Sequence, residues 1–537
     1  MEIARSHRDC MLVAVFGLVG SATTLAMPAL LGRAIDDIFR GGSMRWAAIA
    51  VAIIALAVVA DLVDTFASAS YSARATASLR QELVRRVLTV APHRFLAFSL
   101  GDLVGRVSAR APEAAQATLS RITLWLGLLP PLGSLVLLAL MDYSLAIAFL
   151  GGVGLVALIL RSFSRATMEA TSAYQLSQGS IAGRLAEALS GARTIAAAGT
   201  LGLERERVLK PMGELSFFGV RMWRVLARSS AQAAVAGPLV LVAVLAAGGL
   251  VLTAGQISPG ELFAAGRYAV LGAGLGSLTG VIGALARARA AGASVGEILD
   301  RPPLTFGRVS TSDGEGHLSF EGVGVRGLLH GIDLDLPAGA AIAVVGRSGA
   351  GKSVLAALAA RLRDPDSGRV LLDGVPLPSL SEAALRASIG CAFERPNLFL
   401  GTPAESISLG RKDFPVMAAA QAARAHDFIA RLSHGYDTPI AQAPMSGGEA
   451  QRLGLARAWS ARRLLVLDDA TSSLDMVTER EIAATLLAEG RTRLIVTHRV
   501  TTAERADVVV WLDNGRVRGA GPHAMLCHDP GYRAVFS

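Results

Sequence analysis

The first 300 residues contain six apolar segments, each close to the length needed to cross a lipid bilayer. They lie at residues 10–32, 47–69, 122–141, 144–160, 231–254 and 262–285. A membrane-spanning helix needs about 20 mainly apolar residues. The mean hydropathy of +0.47 and the charged fraction of 18% also differ from those of a soluble chain. These segments predict an all-α membrane domain of six helices over residues 1–300.

The links after the second and fourth segments are long and basic. From Tyr71 through Arg121 the chain has eight arginines and three acidic residues. Positive charge near membrane spans is retained on the cytoplasmic side, so both links and both termini are expected in the cytoplasm. Apolar residues at helical spacing, such as Leu79 and Leu83, predict that the spans continue as helices beyond the membrane. The net charge of +9 is spread over these links rather than gathered in one patch, which argues against a nucleic-acid partner.

Asp61 and Asp64 stand out within the second segment, because a carboxylate at bilayer depth is costly. One interpretation is a site for a cationic substrate. The other is that both carboxylates reach water or an arginine near the cytoplasmic end of the span. The three cysteines are scattered, and they indicate neither a disulfide framework nor a metal cluster.

From Arg301 the composition changes to prolines and then to glycine, serine, threonine and aspartate, which predicts a linker over residues 301–316. Beyond it, helical stretches such as Val354–Leu362 and Leu453–Trp459 alternate with short strand patterns. Those patterns lie at His317–Phe320, Ala341–Val345, Val370–Leu372, Leu464–Leu467, Leu494–Val496 and Val508–Leu512. The alternation predicts an α/β domain with a parallel sheet over residues 317–537.

A glycine-rich turn follows one of these strand patterns and precedes a helical stretch. Its residues are Gly346, Arg347, Ser348, Gly349, Ala350, Gly351, Lys352 and Ser353. The spacing lets successive backbone N–H groups face a triphosphate, the lysine reach the β- and γ-phosphate oxygens and the serine hydroxyl hold Mg²⁺. A phosphate-binding loop of this kind requires a strand before it and a helix after it, and both patterns are present. The turn therefore predicts an ATP–Mg²⁺ site.

Two further stretches support a nucleotide site. The apolar strand Leu464–Leu467 ends in Asp468 and Asp469, and a carboxylate at the end of such a strand can bind Mg²⁺ opposite the phosphate loop. The stretch Ser446–Gln451 opens a helix, and its backbone N–H groups offer a second set of donors for a phosphate.

With these motifs in place, the sequence resembles the ATP-binding cassette (ABC) transporter family over nearly its whole length, as a half-transporter of the exporter type. Five motifs occur in the family's order and spacing. They are Walker A (Gly346–Ser353), the signature (Ser446–Gln451), Walker B (Leu464–Asp468), the D-loop (Ser472–Asp475) and the switch histidine in Thr497–His498.

The resemblance implies that two such chains pair head to tail, with each ATP held between the Walker A motif of one chain and the signature of the other. It implies catalytic roles for Asp469 and His498, and Mg²⁺ ligands at Ser353, Glu394 and Asp468. It also implies that the second half of the ATP site comes from signature residues, namely Ser446, Gly447, Gly448 and Glu449.

Three positions depart from the family pattern, and all belong to the residues that the resemblance implies for binding or hydrolysing ATP. Asp469 stands at the position of the family's catalytic glutamate, and Glu394 stands at the position of the glutamine in its switch loop. Residues 323–327 lack the aromatic side chain that stacks on adenine in the family. Asp469 retracts the carboxylate by one bond, and roughly 1 Å of misplacement can cost about 10²-fold in rate. Loss of the stack is expected to weaken nucleotide binding by roughly 1 to 3 kcal/mol.

These departures predict slow hydrolysis at the chain's own Walker site. The chain is then expected to be the weakly hydrolysing half of a heterodimer, with a homodimer as the alternative. The predicted function is ATP-driven export of an amphipathic small molecule, lipid or peptide across the cytoplasmic membrane. A siderophore-type importer on the same fold and an ATP-gated regulatory or channel-like membrane protein are alternatives. Only three residues are lysine, and this Lys-poor, Ala- and Arg-rich composition favours a bacterial source.

Overall fold

The computed structural model describes residues 2–40, 45–95, 97–274, 278–310, 314–399, 401–443, 445–488 and 490–536. Within these ranges, the side chains of residues 2–7, 155–168, 170–172, 229–230, 232–234, 236, 273, 279 and 486–488 lie outside the description. The chain forms two compact units. Unit 1 comprises Met1–Val87 and Ser99–Asp300, and unit 2 comprises Leu88–Phe98 and Arg301–Ser537.

The described part of unit 1 is helical. Its helices are α1 (Glu2–Phe39), α2 (Arg45–Thr89), α3 (Leu100–Gly105), α4 (Ala111–Ala115), α5 (Ala117–Met141), α6 (Tyr143–Ser190), α7 (Ala192–Ala198), α8 (Leu201–Leu209), α9 (Met212–Thr253), α10 (Pro259–Ala273) and α11 (Leu278–Leu299). A π-helical turn, Arg106–Arg110, joins α3 to α4.

Helices α2, α6 and α9 contain 45, 48 and 42 residues, respectively. At 1.5 Å per residue each exceeds 60 Å in length, about twice the hydrocarbon thickness of a bilayer. All three helices are thus longer than the apolar segments predicted there. That the extra turns lie beyond the membrane stays a prediction.

Within the described residues, three helical stretches are long and apolar enough to cross a membrane: Arg8–Phe39, Arg45–Thr89 and Leu100–Met141. Two shorter apolar helical stretches are Tyr143–Gly154 and Gly237–Thr253. The predicted spans at 144–160, 231–254 and 262–285 include positions whose side chains lie outside the description.

Helix α10 is fixed at its start by polar contacts. Ser258 and Glu261 form a reciprocal capping box there, which satisfies two donors of the first turn. Asp36 of α1 accepts hydrogen bonds from the Ser258 hydroxyl and from the Gly260 N–H, the latter at 2.8 Å. Further along α10 the Tyr268 hydroxyl donates to the Leu25 carbonyl at 3.0 Å. These bonds hold α10 against α1.

Unit 2 contains two sheets. The first six strands in chain order are β1 (Leu318–Val325), β2 (Leu329–Leu336), β3 (Ala341–Gly346), β4 (Ser367–Leu372), β5 (Val375–Pro376) and β6 (Ile389–Phe393). They are followed by β7 (Leu464–Asp468), β8 (Thr492–Val496), β9 (Val508–Asp513) and β10 (Arg516–Gly521). One sheet has the order β10-β9-β3-β8-β7-β6, and the other has the order β2-β1-β4-β5.

The helices of unit 2 cover the larger sheet. They are α12 (Lys352–Ala359), α13 (Glu382–Ser388), α14 (Pro403–Ser408), α15 (Val416–Ala422), α16 (His426–Ala430), α17 (Gly447–Ala458), α18 (Met476–Ala488), α19 (Val500–Glu504), α20 (His523–Leu526) and α21 (Pro530–Arg533). On one face of the sheet, Val344 and Val466 pack with Leu355 of α12. On the other face, Leu467 packs with Leu453 of α17. Burial on both faces explains why β3 and β7 read as continuous apolar runs.

The prediction of a single parallel sheet is wrong for two segments. The first segment, His317–Phe320, overlaps β1 from Leu318 onward, and the second, Val370–Leu372, lies in β4; these strands pair antiparallel in the four-stranded sheet. The predicted helices Val354–Leu362 and Leu453–Trp459 begin earlier, at Lys352 and Gly447. At α17 the Ser446 side chain caps the first turn, whereas α12 follows Gly351 directly and has no side-chain cap at its N-cap position.

The second segment of unit 2 begins at Arg301, so the residues of the predicted linker group with the α/β unit. The Gly307 N–H donates to the Leu380 carbonyl at 3.0 Å, and Val309 forms a parallel bridge with Leu380. Residues 311–313 of this segment lie outside the described residues.

Candidate nucleotide-binding site

The topology of the larger sheet brings the predicted site residues to one edge. Strands β3, β8, β7 and β6 are neighbours and run parallel, with Val344 opposite Val496 and Val496 opposite Asp468. On the next strand Phe393 lies opposite Asp468. The residues that follow these strand ends therefore lie at the same edge. At this edge lie Gly346, the last residue of β3, His498 after β8, Asp469 after β7 and Glu394 after β6.

The phosphate loop has the backbone that its glycines allow. Gly349 and Gly351 have φ values of +82° and +98°, which favour glycine. A Cβ atom at Gly351 would lie 2.6 Å from Leu329 Cδ2. This tight turn leads directly into α12, whose first residue is Lys352.

Lys352 lies folded over the loop that it closes. Its Nζ donates to the carbonyls of Gly346 at 2.8 Å and Arg347 at 3.1 Å. Burial lowers the pKa of Lys352, and the carboxylates of Asp469 and Asp468 oppose that effect. The ammonium group is thus placed among the loop carbonyls, next to where a phosphate would be bound.

Ser353 and Asp468 form the nearest match to a magnesium site. The Ser353 hydroxyl donates to Asp468 Oδ1 at 3.0 Å. Burial raises the pKa of Asp468, and the nearby charges of Asp469 and Glu394 raise it further. A hydroxyl and a carboxylate at this distance fit Mg²⁺, which takes one or two protein oxygens and completes its shell with water and phosphate oxygens. A bound cation would favour the ionised form of Asp468.

Asp469 has an unusual backbone. Its φ of +50° lies in the left-handed region, which non-glycine residues seldom adopt. Its Oδ2 is 3.7 Å from His498 Nε2. Burial raises the pKa of Asp469, whereas His498 and Lys352 lower it. The structure thus brings together both residues predicted to be catalytic, with the carboxylate directed toward the histidine.

The signature segment forms the start of α17. Ser446 is the N-cap, and its hydroxyl oxygen accepts from the Glu449 N–H at 3.3 Å. In return, Glu449 Oε2 accepts from the Ser446 N–H at 2.8 Å and from the Ser446 hydroxyl at 2.9 Å. The backbone hydrogen bond from Ser446 is the main reason why the pKa of Glu449 is lowered. The signature therefore presents an anion at the helix start, bound to its own serine.

Two residues of the site were missed by sequence reasoning. Gln451 Nε2 donates to the Glu394 carbonyl and to the Ser472 hydroxyl, both at 2.8 Å. Its Oε1 accepts from the Ser473 N–H at 2.9 Å. A single buried side chain therefore links the segment after β6 to the D-loop. Its place inside the signature stretch was the signal available in the sequence.

Arg499 is the second missed residue. It follows the switch histidine directly and forms an ion pair with Glu479 of α18. Its Nη2 donates to the carbonyl of Ser472 at 2.9 Å and to that of Leu474 at 3.3 Å. Arg499 thus ties the segment after β8 to the D-loop, which begins three residues after Asp469.

These features define a class of protein: an ATP-dependent transporter in which a nucleotide-binding unit follows a helical membrane domain. A family model described as "ABC transporter transmembrane region" matches residues 10–271, and one described as "ABC transporter" matches residues 329–472. The chain belongs to the ABC transporter family and is a half-transporter of the exporter type. The predicted fold class is therefore confirmed, and ATP binding follows from the family.

Known relatives match along the whole chain. The "ABC transporter ATP-binding protein RamA" of Streptomyces coelicolor is 45% identical over 98% of this chain and 84% of its own length. The "ATP-dependent lipid A-core flippase" of Chromohalobacter salexigens is 31% identical over 100% of this chain and 96% of its own length. A solved structure described as "Structure of a bacterial Atm1-family ABC exporter with ATP bound" has a TM-score of 0.81 and 25% identity, covering 99% of this chain and 98% of that one.

Proposed function

We propose that this chain is the weakly hydrolysing half of a heterodimeric exporter that moves an amphipathic molecule across the cytoplasmic membrane of a bacterium. The main support for this proposal is that Asp469 occupies the position of the family's catalytic glutamate. ABC exporters act as dimers, so a second half-transporter would supply the stronger hydrolytic site. The division into residues 1–300, 301–316 and 317–537, with both termini in the cytoplasm, belongs to the same proposal.

The carboxylate of Asp469 supports slow turnover through its reach and its charge. Its side chain is one bond shorter than that of glutamate, and misplacement by roughly 1 Å can cost about 10²-fold in rate. The Asp469 carboxylate also lies 3.7 Å from His498 Nε2, so the group expected to activate water is already in contact with the switch histidine. Its raised pKa makes it easier to protonate than an ordinary aspartate.

Glu394 adds a second negative group on the Walker side. Its charge raises the pKa values of both Asp468 and Asp469. With Mg²⁺ bound to Ser353 and Asp468, Glu394 would be an additional anionic ligand near the metal. Without Mg²⁺ the same charges would repel the phosphates of ATP. Nucleotide binding at this site is therefore expected to depend strongly on Mg²⁺.

The signature of this chain would complete the partner's ATP site. Ser446 can donate its hydroxyl to a phosphate only after it releases Glu449, to which it now donates at 2.9 Å. Glu449 also places a negative charge where the start of α17 would otherwise favour an anion. We infer that this signature is functional and that Glu449 weakens its contribution.

The substrate class rests on the membrane domain and on the relatives. The predicted spans are apolar with scattered small residues, which suits a molecule with a large apolar part. Several relatives are named lipid A-core flippases, and this favours an amphipathic molecule of lipid character.

The test is the ATPase rate of the chain purified alone in lipid nanodiscs, beside that of the Asp469→Asn variant. ATP binding with little turnover in both proteins is expected from the weak half of a heterodimer. Clear turnover of the unmodified chain that collapses in Asp469→Asn would instead identify a working homodimer with Asp469 as the base.

A further inference from the structure

A cavity of about 250 Å³ lies beside the D-loop, on one face of the larger sheet and beneath α18 and α19. We propose that this cavity binds a small organic anion with an apolar body, and that its occupancy regulates ATP hydrolysis through the D-loop. None of the residues assigned above to ATP or Mg²⁺ lines it in the described part of the chain.

The cavity exists because small side chains stand where larger ones would fill the space. Ala341 of β3, Ala483 of α18 and Ala506 after α19 contribute to its wall. Leu467 and Ile495, from neighbouring strands, form an apolar floor. Protein interiors contain few voids larger than a water molecule, and a dry apolar cavity of about 150 Å³ is enough to hold benzene. The space therefore fits one ring with a small substituent.

The charge of the wall selects the sign of the ligand. Among the described lining residues, four are arginines and one, Glu479, is acidic. Glu479 already has partners, because its carboxylate forms an ion pair with Arg499 and accepts from the Thr471 hydroxyl at 3.1 Å. Arg480 and Arg505 are exposed at the edge of the cavity. Guanidinium groups bind carboxylates and phosphates through charge-assisted hydrogen bonds, so an anionic substituent is favoured over a cationic or neutral one.

The same wall is connected to the ATP site. Glu479 and Arg499 both line the cavity, and Arg499 holds the carbonyls of Ser472 and Leu474 in the D-loop. An occupant that contacts this pair would fix or shift the D-loop. The cavity thus offers a route by which a small metabolite could change the hydrolysis rate without entering the nucleotide site.

The probe for the test is 4-fluorophenyl phosphate, followed by fluorine NMR with the full chain in lipid nanodiscs. All measurements are made in the Lys352→Ala background, so that the phosphate loop does not contribute binding. We expect saturable binding of the probe. We also expect binding at least tenfold weaker for 4-fluorobenzyl alcohol, which keeps the ring but lacks the charge.

Two variants locate the site. Ala483→Phe fills the cavity and is expected to abolish saturable binding, whereas Ala484→Phe, exposed on the same helix, is the matched control and should leave binding unchanged. Arg505→Glu alters only the exposed edge and is expected to weaken binding at least tenfold even if Ala483→Phe fails to fold. Absence of saturable binding, equal binding of the alcohol, or binding insensitive to Arg505→Glu would each overturn the proposal.

Regulation is tested separately from binding. In the chain with Lys352 intact, saturating probe should change the ATPase rate or, if turnover is too slow to follow, the hydrogen exchange of D-loop amides. This effect should vanish in the variant that loses binding. Binding with neither effect would overturn the regulatory part of the proposal.

Discussion

Replacing Arg499 by alanine is expected to loosen the D-loop while leaving the fold intact. The guanidinium group contacts three partners from one position after β8: the Glu479 carboxylate and the carbonyls of Ser472 and Leu474. Alanine removes all three contacts together. The D-loop would keep its local backbone hydrogen bonds and its two contacts with Gln451, which accepts from the Ser473 N–H and donates to the Ser472 hydroxyl.

The size of the effect follows from the geometry of these bonds. A hydrogen bond to a charged group contributes about 1.5 to 3 kcal/mol. The bond to Ser472 is 2.9 Å long, but the one to Leu474 is 3.3 Å. The side chain of Arg499 is 33% exposed, so solvent screens part of the gain. A net loss of about 2 kcal/mol in local stability is therefore expected, which corresponds to about thirtyfold faster opening.

Hydrogen exchange measured by mass spectrometry on the full chain in nanodiscs is the assay, read on peptides that cover residues 471–476. Amide exchange in Arg499→Ala should be about thirtyfold faster there and unchanged in β3 and β7. Arg499→Lys should give an intermediate rate, because lysine keeps the charge beside Glu479 but lacks the planar fork. Arg516→Ala, which removes an exposed arginine of β10, is the control. Unchanged D-loop exchange in Arg499→Ala would refute this role of Arg499.

Three further predictions concern the charges of the site. Burial raises the pKa of Asp469, so as the pH is lowered the residual ATPase rate should begin to fall at a higher pH than it would with an ordinary aspartate. The pH–rate profile of Asp469→Asn, measured beside that of the unmodified chain, should lack this acidic fall. The pKa of Asp468 is raised in the folded chain, so its ionised form destabilises the nucleotide-free unit. Asp468→Asn should therefore raise Tm at neutral pH, and the gain should shrink as the pH is lowered. Mg²⁺-ATP should stabilise this variant less than the unmodified chain, and a fall in Tm on thermal unfolding would contradict the prediction. Glu449→Gln should raise the ATPase rate of a dimer that uses this signature. It should also cost about 0.3 to 1 kcal/mol of stability, because the charge at the helix start is lost. An equal or lower ATPase rate would show that Glu449 does not weaken the signature.

The parts of the fold that were predictable from sequence are those in which one physical signal dominates. Strands β3 and β7 are buried on both faces, so their apolar runs were visible without an alignment. The phosphate loop was visible because its glycine spacing is set by the backbone that a triphosphate requires.

Other strands had weaker signals or signals that were overlooked. Strand β2 alternates buried Ile332, Leu334 and Leu336 with polar residues, a pattern typical of a half-buried strand. The turn at Asn514 and Gly515, with φ values of +47° and +71°, is the usual two-residue hairpin before β10. Strand β10 itself has no fully buried residue, so the apolar pattern could not reveal it.

The network around the D-loop could not be predicted, because it depends on tertiary placement. Nothing in the sequence says that Gln451 reaches Glu394 or that Arg499 reaches Ser472; both contacts arise because the strand ends meet at one edge of the sheet. The bond between Ser446 and Glu449 differs, because serine followed three residues later by glutamate before a helix is a recognisable capping box. The same stretch of sequence therefore carries the signal for this cap as well as for the phosphate donors of the helix start.

In the proposed function, the short side chain at position 469 limits ATP hydrolysis. The most direct measurement is the ATPase rate of Asp469→Glu beside the unmodified chain, each alone in lipid nanodiscs, with Lys352→Ala in the same background to remove phosphate binding. Asp469→Glu is expected to turn over at least tenfold faster than the unmodified chain, and the lysine substitution should abolish the gain. A rate in the unmodified chain as high as that of Asp469→Glu would contradict this expectation.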